Sequence, residues 1–105
     1  MPDRMLDLVA GCFQALSDPT RLKLLRALKS GDKTVQELVT LFDYTQPNIS
    51  RHLSVLLTAG LVRKSKQGSH VYYSIANPRV FLLCDNVCSH VRTVLSGYGV
   101  RSAKP

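Results

Sequence analysis

With 105 residues, 45% of them hydrophobic, the chain is sized for one domain around one core and is short for an enzyme with its own substrate cleft. Fourteen lysines and arginines against seven acids give a formal charge of +7, which favours a polyanionic partner. No apolar run approaches the ~18–20 residues of a bilayer span, and Met1-Pro2-Asp3-Arg4-Met5 lacks the charged-then-apolar layout of an export signal, so a cytoplasmic location without membrane contact is expected.

Leu6, Val9, Ala10, Phe13 and Leu16 recur at helical spacing and predict a first helix over residues 4–16. Asp18 can cap a second helix, with Pro19 at its first position, where φ is already set. Leu22, Leu24, Leu25 and Leu28 give that helix a broad apolar face, and Gly31 ends it. Thr34 and Glu37 have the spacing of a capping box, opening a short helix over 35–41 with Val35, Leu38, Val39 and Leu41 facing inward. Phe42-Asp43-Tyr44 turns the chain, and Thr45 caps the next helix, in whose first turn Pro47 costs little. Ile49, Leu53, Leu56 and Leu57 form its buried stripe, and Gly60 stops it. Two helices joined by so tight a turn read as helix-turn-helix.

After Gly60 the period changes from helical to alternating. Val62, Lys64 and Lys66 alternate with Arg63 and Ser65; Val71, Tyr73 and Ile75 alternate with Tyr72 and Ser74. Gln67-Gly68-Ser69 supplies the turn of a two-stranded hairpin, a wing. Asn77-Pro78 opens a last helix near 79–96, with the apolar stripe Phe81, Cys84, Val87, Cys88, Val91, Val94 and Leu95, closed by Gly97 and Gly99. The expected fold is mainly α with a small β-hairpin, in the order α-α-α-α-β-β-α. It forms one domain over 1–98, followed by a flexible tail over 99–105.

Residues 44–84 carry five positive charges (Arg51, Arg63, Lys64, Lys66, Arg79) and no Asp or Glu. A helix with a small polar leading end, followed by a cationic ribbon, suits double-stranded DNA: the helix enters the major groove and the ribbon lies on phosphates. At ~100° per residue, Arg51 falls opposite the Ile49/Leu53 stripe and Asn48 and Ser50 lie on the flanks. Thr45, Gln46, Asn48, Ser50 and Arg51 therefore form the candidate reading end. Asn or Gln can bond adenine bidentately and Arg can do so with guanine. His52 either contacts phosphate or packs as a hydrogen-bonded core histidine. Lys64, Lys66, Ser69 and His70 surround the hairpin tip and would meet the DNA backbone or minor groove. Arg63 points the other way, and Tyr72 and Tyr73 fit cross-strand packing.

Three strings sharpen this reading: Ala15-Leu16-Ser17-Asp18-Pro19-Thr20-Arg21-Leu22, Gln46-Pro47-Asn48-Ile49-Ser50-Arg51-His52-Leu53, and Ala59-Gly60-Leu61-Val62 with the later Val71-Tyr72-Tyr73. Over residues 5–95 the chain resembles the ArsR/SmtB family of winged-helix repressors. The resemblance implies a homodimer built by the first and last helices, an imperfectly palindromic operator, and repression relieved by a metal ion, a metalloid or a thiol oxidant.

Two familiar sensor sites of that family are not matched. Where one carries Glu-Leu-Cys-Val-Cys, this chain reads Glu37-Leu38-Val39-Thr40-Leu41. Where another uses Asp-x-His, Asp85 is followed by Asn86 and Val87, with only His90 nearby. What remains is Cys12 on the first helix and Cys84 and Cys88 on the last, an odd set that does not suit a disulfide framework. Cys84 and Cys88 are spaced i,i+4 and share one helical face. In the family's dimer the end helices pack together, so Cys12 of either chain could approach that pair. Three thiolates would suit a soft regulatory ion such as arsenite, antimonite, cadmium or lead; no other cofactor is expected. The alternatives are plain packing of the cysteines and redox or persulfide sensing through a bridge to Cys12. A small thiol enzyme is disfavoured by Cys-x3-Cys within an apolar helix. A non-specific DNA coat and a winged helix used only for protein contacts complete the rivals.

Overall fold

The structure is a computed structural model, and it describes residues 1–97. The expected tail over 99–105 and the closing role given to Gly99 lie outside the described residues. The elements are α1 (Asp3–Leu16), α2 (Pro19–Lys29), α3 (Val35–Leu41), α4 (Gln46–Thr58), β1 (Val62–Gln67), β2 (His70–Ile75) and α5 (Arg79–Leu95), in the order of a winged helix-turn-helix.

Side-chain caps set three of the helix starts. The Asp18 carboxylate accepts from the amides of Thr20 at 2.8 Å and Arg21 at 3.2 Å, with Pro19 opening α2. Thr34 and Glu37 close a reciprocal capping box on α3, at 3.1 and 2.9 Å. Thr45 accepts from the Asn48 amide at 3.3 Å to start α4. Each contact satisfies amides that have no partner within their own helix.

The core is Leu24, Leu25 and Leu28 from α2, Leu38 from α3, Ile49, Leu53 and Leu56 from α4, and Val62 at the base of β1. On α4 these residues follow i, i+4, i+7 spacing, so one side of the helix is fully committed inward and the opposite side is free. Two residues expected inside are not: Leu41 is 57% and Leu22 42% exposed. Leu41 is the last residue of a two-turn helix, beyond the reach of the core, and Leu22 instead borders a pocket against α5. Leu57, Val35 and Val39 are half-buried.

The wing pairs antiparallel from Val62↔Ile75 to Gln67↔His70. Its loop is therefore Gly68-Ser69, one residue shorter than expected, and Gly68 adopts φ +65°, the backbone a II′ hairpin turn asks of its first central residue. A contact invisible in the sequence pattern docks this hairpin: Lys33, between α2 and α3, exchanges two backbone hydrogen bonds with Tyr73, at 3.0 and 2.8 Å. Ala76 also bonds back to the Leu61 carbonyl at 3.1 Å. The wing is tied to the helical body along β2 as well as at its base.

Candidate nucleic-acid interface and thiol pocket

Gln46, Ser50 and Arg51 are exposed on the leading half of α4, as the helical spacing predicts, and Asn48 is half-buried beside them. Thr45 is also exposed, but its oxygen serves the helix cap, so its first role is to fix where α4 begins. These side chains share a helix whose other face is fully packed, which holds their spacing rigid.

His52 takes the packed of its two expected readings. It is half-buried, and its Nδ1 lies 3.1 Å from Nη1 of Arg21. A guanidinium has only donors, so Nδ1 accepts and Nε2 carries the ring proton. The ring thus faces α2 and is not presented alongside Arg51.

On the wing, Lys64, Lys66, Ser69 and His70 are all exposed, but the strand register divides them. Lys64 pairs with Tyr73 and Lys66 with Val71, on the hairpin face of Val62. His70 pairs with Gln67 on the other face and sets its ring edge-on to Tyr72, centroids 6.4 Å apart. Arg63 donates from Nη2 to the Ala76 carbonyl at 2.7 Å, a clamp on the end of β2.

Two residues that the sequence reading passed over adjoin the start of α4. Lys23 Nζ donates to the Tyr44 hydroxyl at 3.3 Å and lies 5.9 Å from the ring centroid. Hydrogen bonding to the Thr20 side chain and to Lys23 draws the Tyr44 hydroxyl below the usual phenol range. Tyr44 lies in the acid-free segment, but its contact with α2 spans 21 residues, and periodicity carries no signal for that.

The three thiols do not converge within one protomer. Cys84 and Cys88 line a small apolar pocket of about 310 Å³ with Phe13 and Leu16 of α1. Cys12 faces another way: it lines a groove of about 640 Å³ between α1 and α4, and its Sγ donates to the Ala59 carbonyl at 3.6 Å. The helix explains the split, because Leu8, Cys12 and Ala15 share one stripe of α1 while Phe13 and Leu16 lie on another. Among the described residues no three His, Cys, Asp or Glu side chains are grouped to hold a metal ion. Burial, aided by the Asp85 charge, pushes the Cys84 thiol above its ordinary range.

Residues 18–64 match the family described as bacterial regulatory protein, arsR family. A probable mercury resistance operon repressor of Streptomyces lividans is 43% identical over 74 residues, 70% of this chain and 59% of that protein. The chain therefore spans somewhat over half of that relative's length. The transcriptional repressor SdpR of Bacillus subtilis is 41% identical over 63 residues, 60% of this chain and 70% of that one. Among solved structures, a homodimeric winged helix-turn-helix DNA-binding domain from Mycobacterium bovis superposes with a TM-score of 0.79 at 30% identity, covering 87% of each chain.

Proposed function

Because this chain belongs to the arsR family of bacterial regulatory proteins, we propose that it is a homodimeric transcriptional repressor whose α4 and wing hold an imperfectly palindromic operator until an effector releases it. One observation carries this reading: α4 buries Ile49, Leu53 and Leu56 completely while exposing Gln46, Ser50 and Arg51 at its leading end. Gln46 and Asn48 supply donor–acceptor pairs that fit adenine, and Arg51 a fork that fits guanine. Lys64 and Lys66 meet phosphate, which positions the protein without reading sequence. Ser69 and His70 reach the backbone from the hairpin tip.

The dimer is built by α1 and α5. Phe13 on α1 and Val87 and Val91 on α5 are each about half exposed, at 51%, 50% and 46%, in an otherwise folded chain. Apolar surface on that scale asks for a cover, and a second copy meeting it across a twofold axis sets two α4 helices ~34 Å apart, one turn of DNA.

The effector in this reading is a soft metal or metalloid ion. Cys84 and Cys88 would hold it in their shared pocket, and Cys12 of this chain, or Cys12 of the partner subunit, would join them by leaving the Ala59 carbonyl. The mercury resistance relative lends the soft-ion class its support. Such an ion supplies strong bonds to thiolate sulfur, and a preference of a few kcal/mol for the non-binding arrangement is enough to empty an operator.

The test is a footprint on duplexes selected by the protein from a random pool. A discrete protected palindrome is expected, lost in Arg51→Ala while the dimer persists; uniform, salt-sensitive coating would refute the repressor reading. Titration with arsenite, antimonite, cadmium, lead and mercury then compares wild type with Cys12→Ser, Cys84→Ser and Cys88→Ser. Release blunted in the variants supports the thiol site, and unchanged release in all three removes it.

A further inference from the structure

We propose that Arg21 is a positioning residue for DNA reading, one that sets the rotation of α4 against the C-terminal end of α1 by way of His52. The proposal rests on the repressor reading above and adds the residue that aims its reading helix.

Arg21 stands at the junction of three elements. Its own amide is held by the Asp18 carboxylate at 3.2 Å, which fixes its backbone at the start of α2. Its guanidinium then spreads in three directions. Nε donates to the Ala15 carbonyl at 2.6 Å and Nη2 to the Gln14 carbonyl at 3.2 Å. Both carbonyls belong to the last turn of α1, and that of Gln14 also accepts from the Ser17 amide at 3.1 Å and the Ser17 hydroxyl at 2.6 Å. Nη1 meets His52 Nδ1 on α4 at 3.1 Å. A planar fork with five donors can span such a junction; a lysine, with one ammonium on a flexible stem, can occupy only one of these places at a time.

The contact to α4 differs in kind from the two to α1. The bonds to α1 close its last turn alongside those of Ser17, so they are structural. His52 needs no such help: its neighbours Ile49, Leu53 and Leu56 already bury the helix. What the Arg21–His52 bond adds is an angle. His52 directly follows Arg51, and a helix turns as one body, so any rotation that parts His52 from Arg21 swings Arg51 by the same amount. A bidentate contact with a base edge tolerates little of that swing, whereas phosphate contacts from the wing tolerate much more. Loss of the bond should therefore erode discrimination between sequences before it erodes affinity for DNA at large. The same bond joins the reading helix to α1, so a movement of α1 within a dimer reaches Arg51 through two hydrogen-bonded steps.

The experiment uses the full-length protein and a duplex that the wild type selects from a random pool, with a scrambled duplex of equal length beside it. Arg21→Lys, His52→Phe, His52→Gln and the Arg21→Lys/His52→Phe double variant are compared for affinity to both duplexes, thermal midpoint and sedimentation. Each of Arg21→Lys and His52→Phe is expected to weaken the selected duplex about tenfold, the scale of a lost hydrogen bond to a charged group. The scrambled duplex should change by no more than about twofold, because the phosphate contacts survive. The double variant should be no worse than the weaker single one, since both remove the same bond. His52→Gln, whose amide oxygen can accept in place of Nδ1, should recover most of the loss. Should Arg21→Lys lower the thermal midpoint through its α1 bonds, His52→Phe, which leaves those bonds intact, carries the decision. Wild-type affinity in His52→Phe, multiplicative losses in the double variant, or equal losses on both duplexes would each overturn the proposal. If the wild type selects no sequence at all, the repressor reading fails first and this one with it.

Discussion

Asp18 uses one carboxylate to start α2 and to hold Arg21 in place. Partial burial alone would raise its pKa, but the amides of Arg21 and Thr20, together with the positive charge of Arg21, leave it below the usual carboxylate value. A carboxylate with a depressed folded pKa contributes stability that is present above its unfolded value and lost as pH falls through the folded one. Asn caps nearly as well without titrating, so Asp18→Asn should flatten the acid limb of thermal midpoint against pH and leave the neutral value nearly unchanged. Cys84 runs the opposite way. Its thiol is raised by burial and then by Asp85, so it enters neutral solution protonated and must release that proton to hold a soft ion. Under the proposed effector site, affinity for a divalent ion such as cadmium should climb with pH by about tenfold per unit for each thiol that gives up its proton, whereas arsenite, which arrives as the hydroxide, carries those protons away as water. Cadmium calorimetry in two buffers of different ionisation enthalpy would count the released protons, and an equal count in wild type and Cys84→Ser would remove Cys84 from the site.

Among the elements, α4 and the wing show how far sequence alone reaches. The capping residues Asp18, Thr34 and Thr45 announce three helix starts, because a cap is a local event with a fixed spacing. The buried stripe of α4 is equally plain, since Ile49, Leu53 and Leu56 obey the helical period. Truncating Leu53, which is fully buried, to Ala should cost about 2–5 kcal/mol in chemical denaturation. Leu41 looks the same by period but lies exposed at the end of α3, and Leu41→Ala should stay within about 0.5 kcal/mol. That contrast marks where pattern fails: it gives the direction a residue faces, and says nothing of whether another element lies there. The Lys33–Tyr73 bridge and the Arg21–His52 bond are long-range meetings, so neither pairing was legible beforehand, although a packed His52 was one of its two readings. The separate stripes of Cys12 and Phe13 on α1 follow from the helical period, but which element flanks each stripe does not. The i,i+4 cysteine pair was legible because it is local. In the turn of the wing, Gly68→Ala would force a side chain into positive φ at about 1–2 kcal/mol, expected as faster amide exchange confined to the hairpin tip.

The molecule as a whole is a packed helical centre carrying unfinished apolar faces on its first and last helices. Val87 and Val91 face outward on α5 and lie four residues apart, one helical turn. An aspartate at either position would be harmless on a solvated helix but costly in a dry interface. Val87→Asp should therefore shift sedimentation to the monomer and abolish operator binding, while circular dichroism of the helices is retained. An unchanged dimer would place the interface elsewhere. The stitch between Lys33 and Tyr73 has a last consequence at this scale. With the hairpin fastened along its second strand as well as at its root, helix and ribbon cannot splay apart to suit the DNA; they act as a fixed gauge. A base pair inserted between the stretch under the helix and the stretch under the ribbon would force one of them off its footing, so half-sites recognised by this protein should vary in letters far more readily than in length.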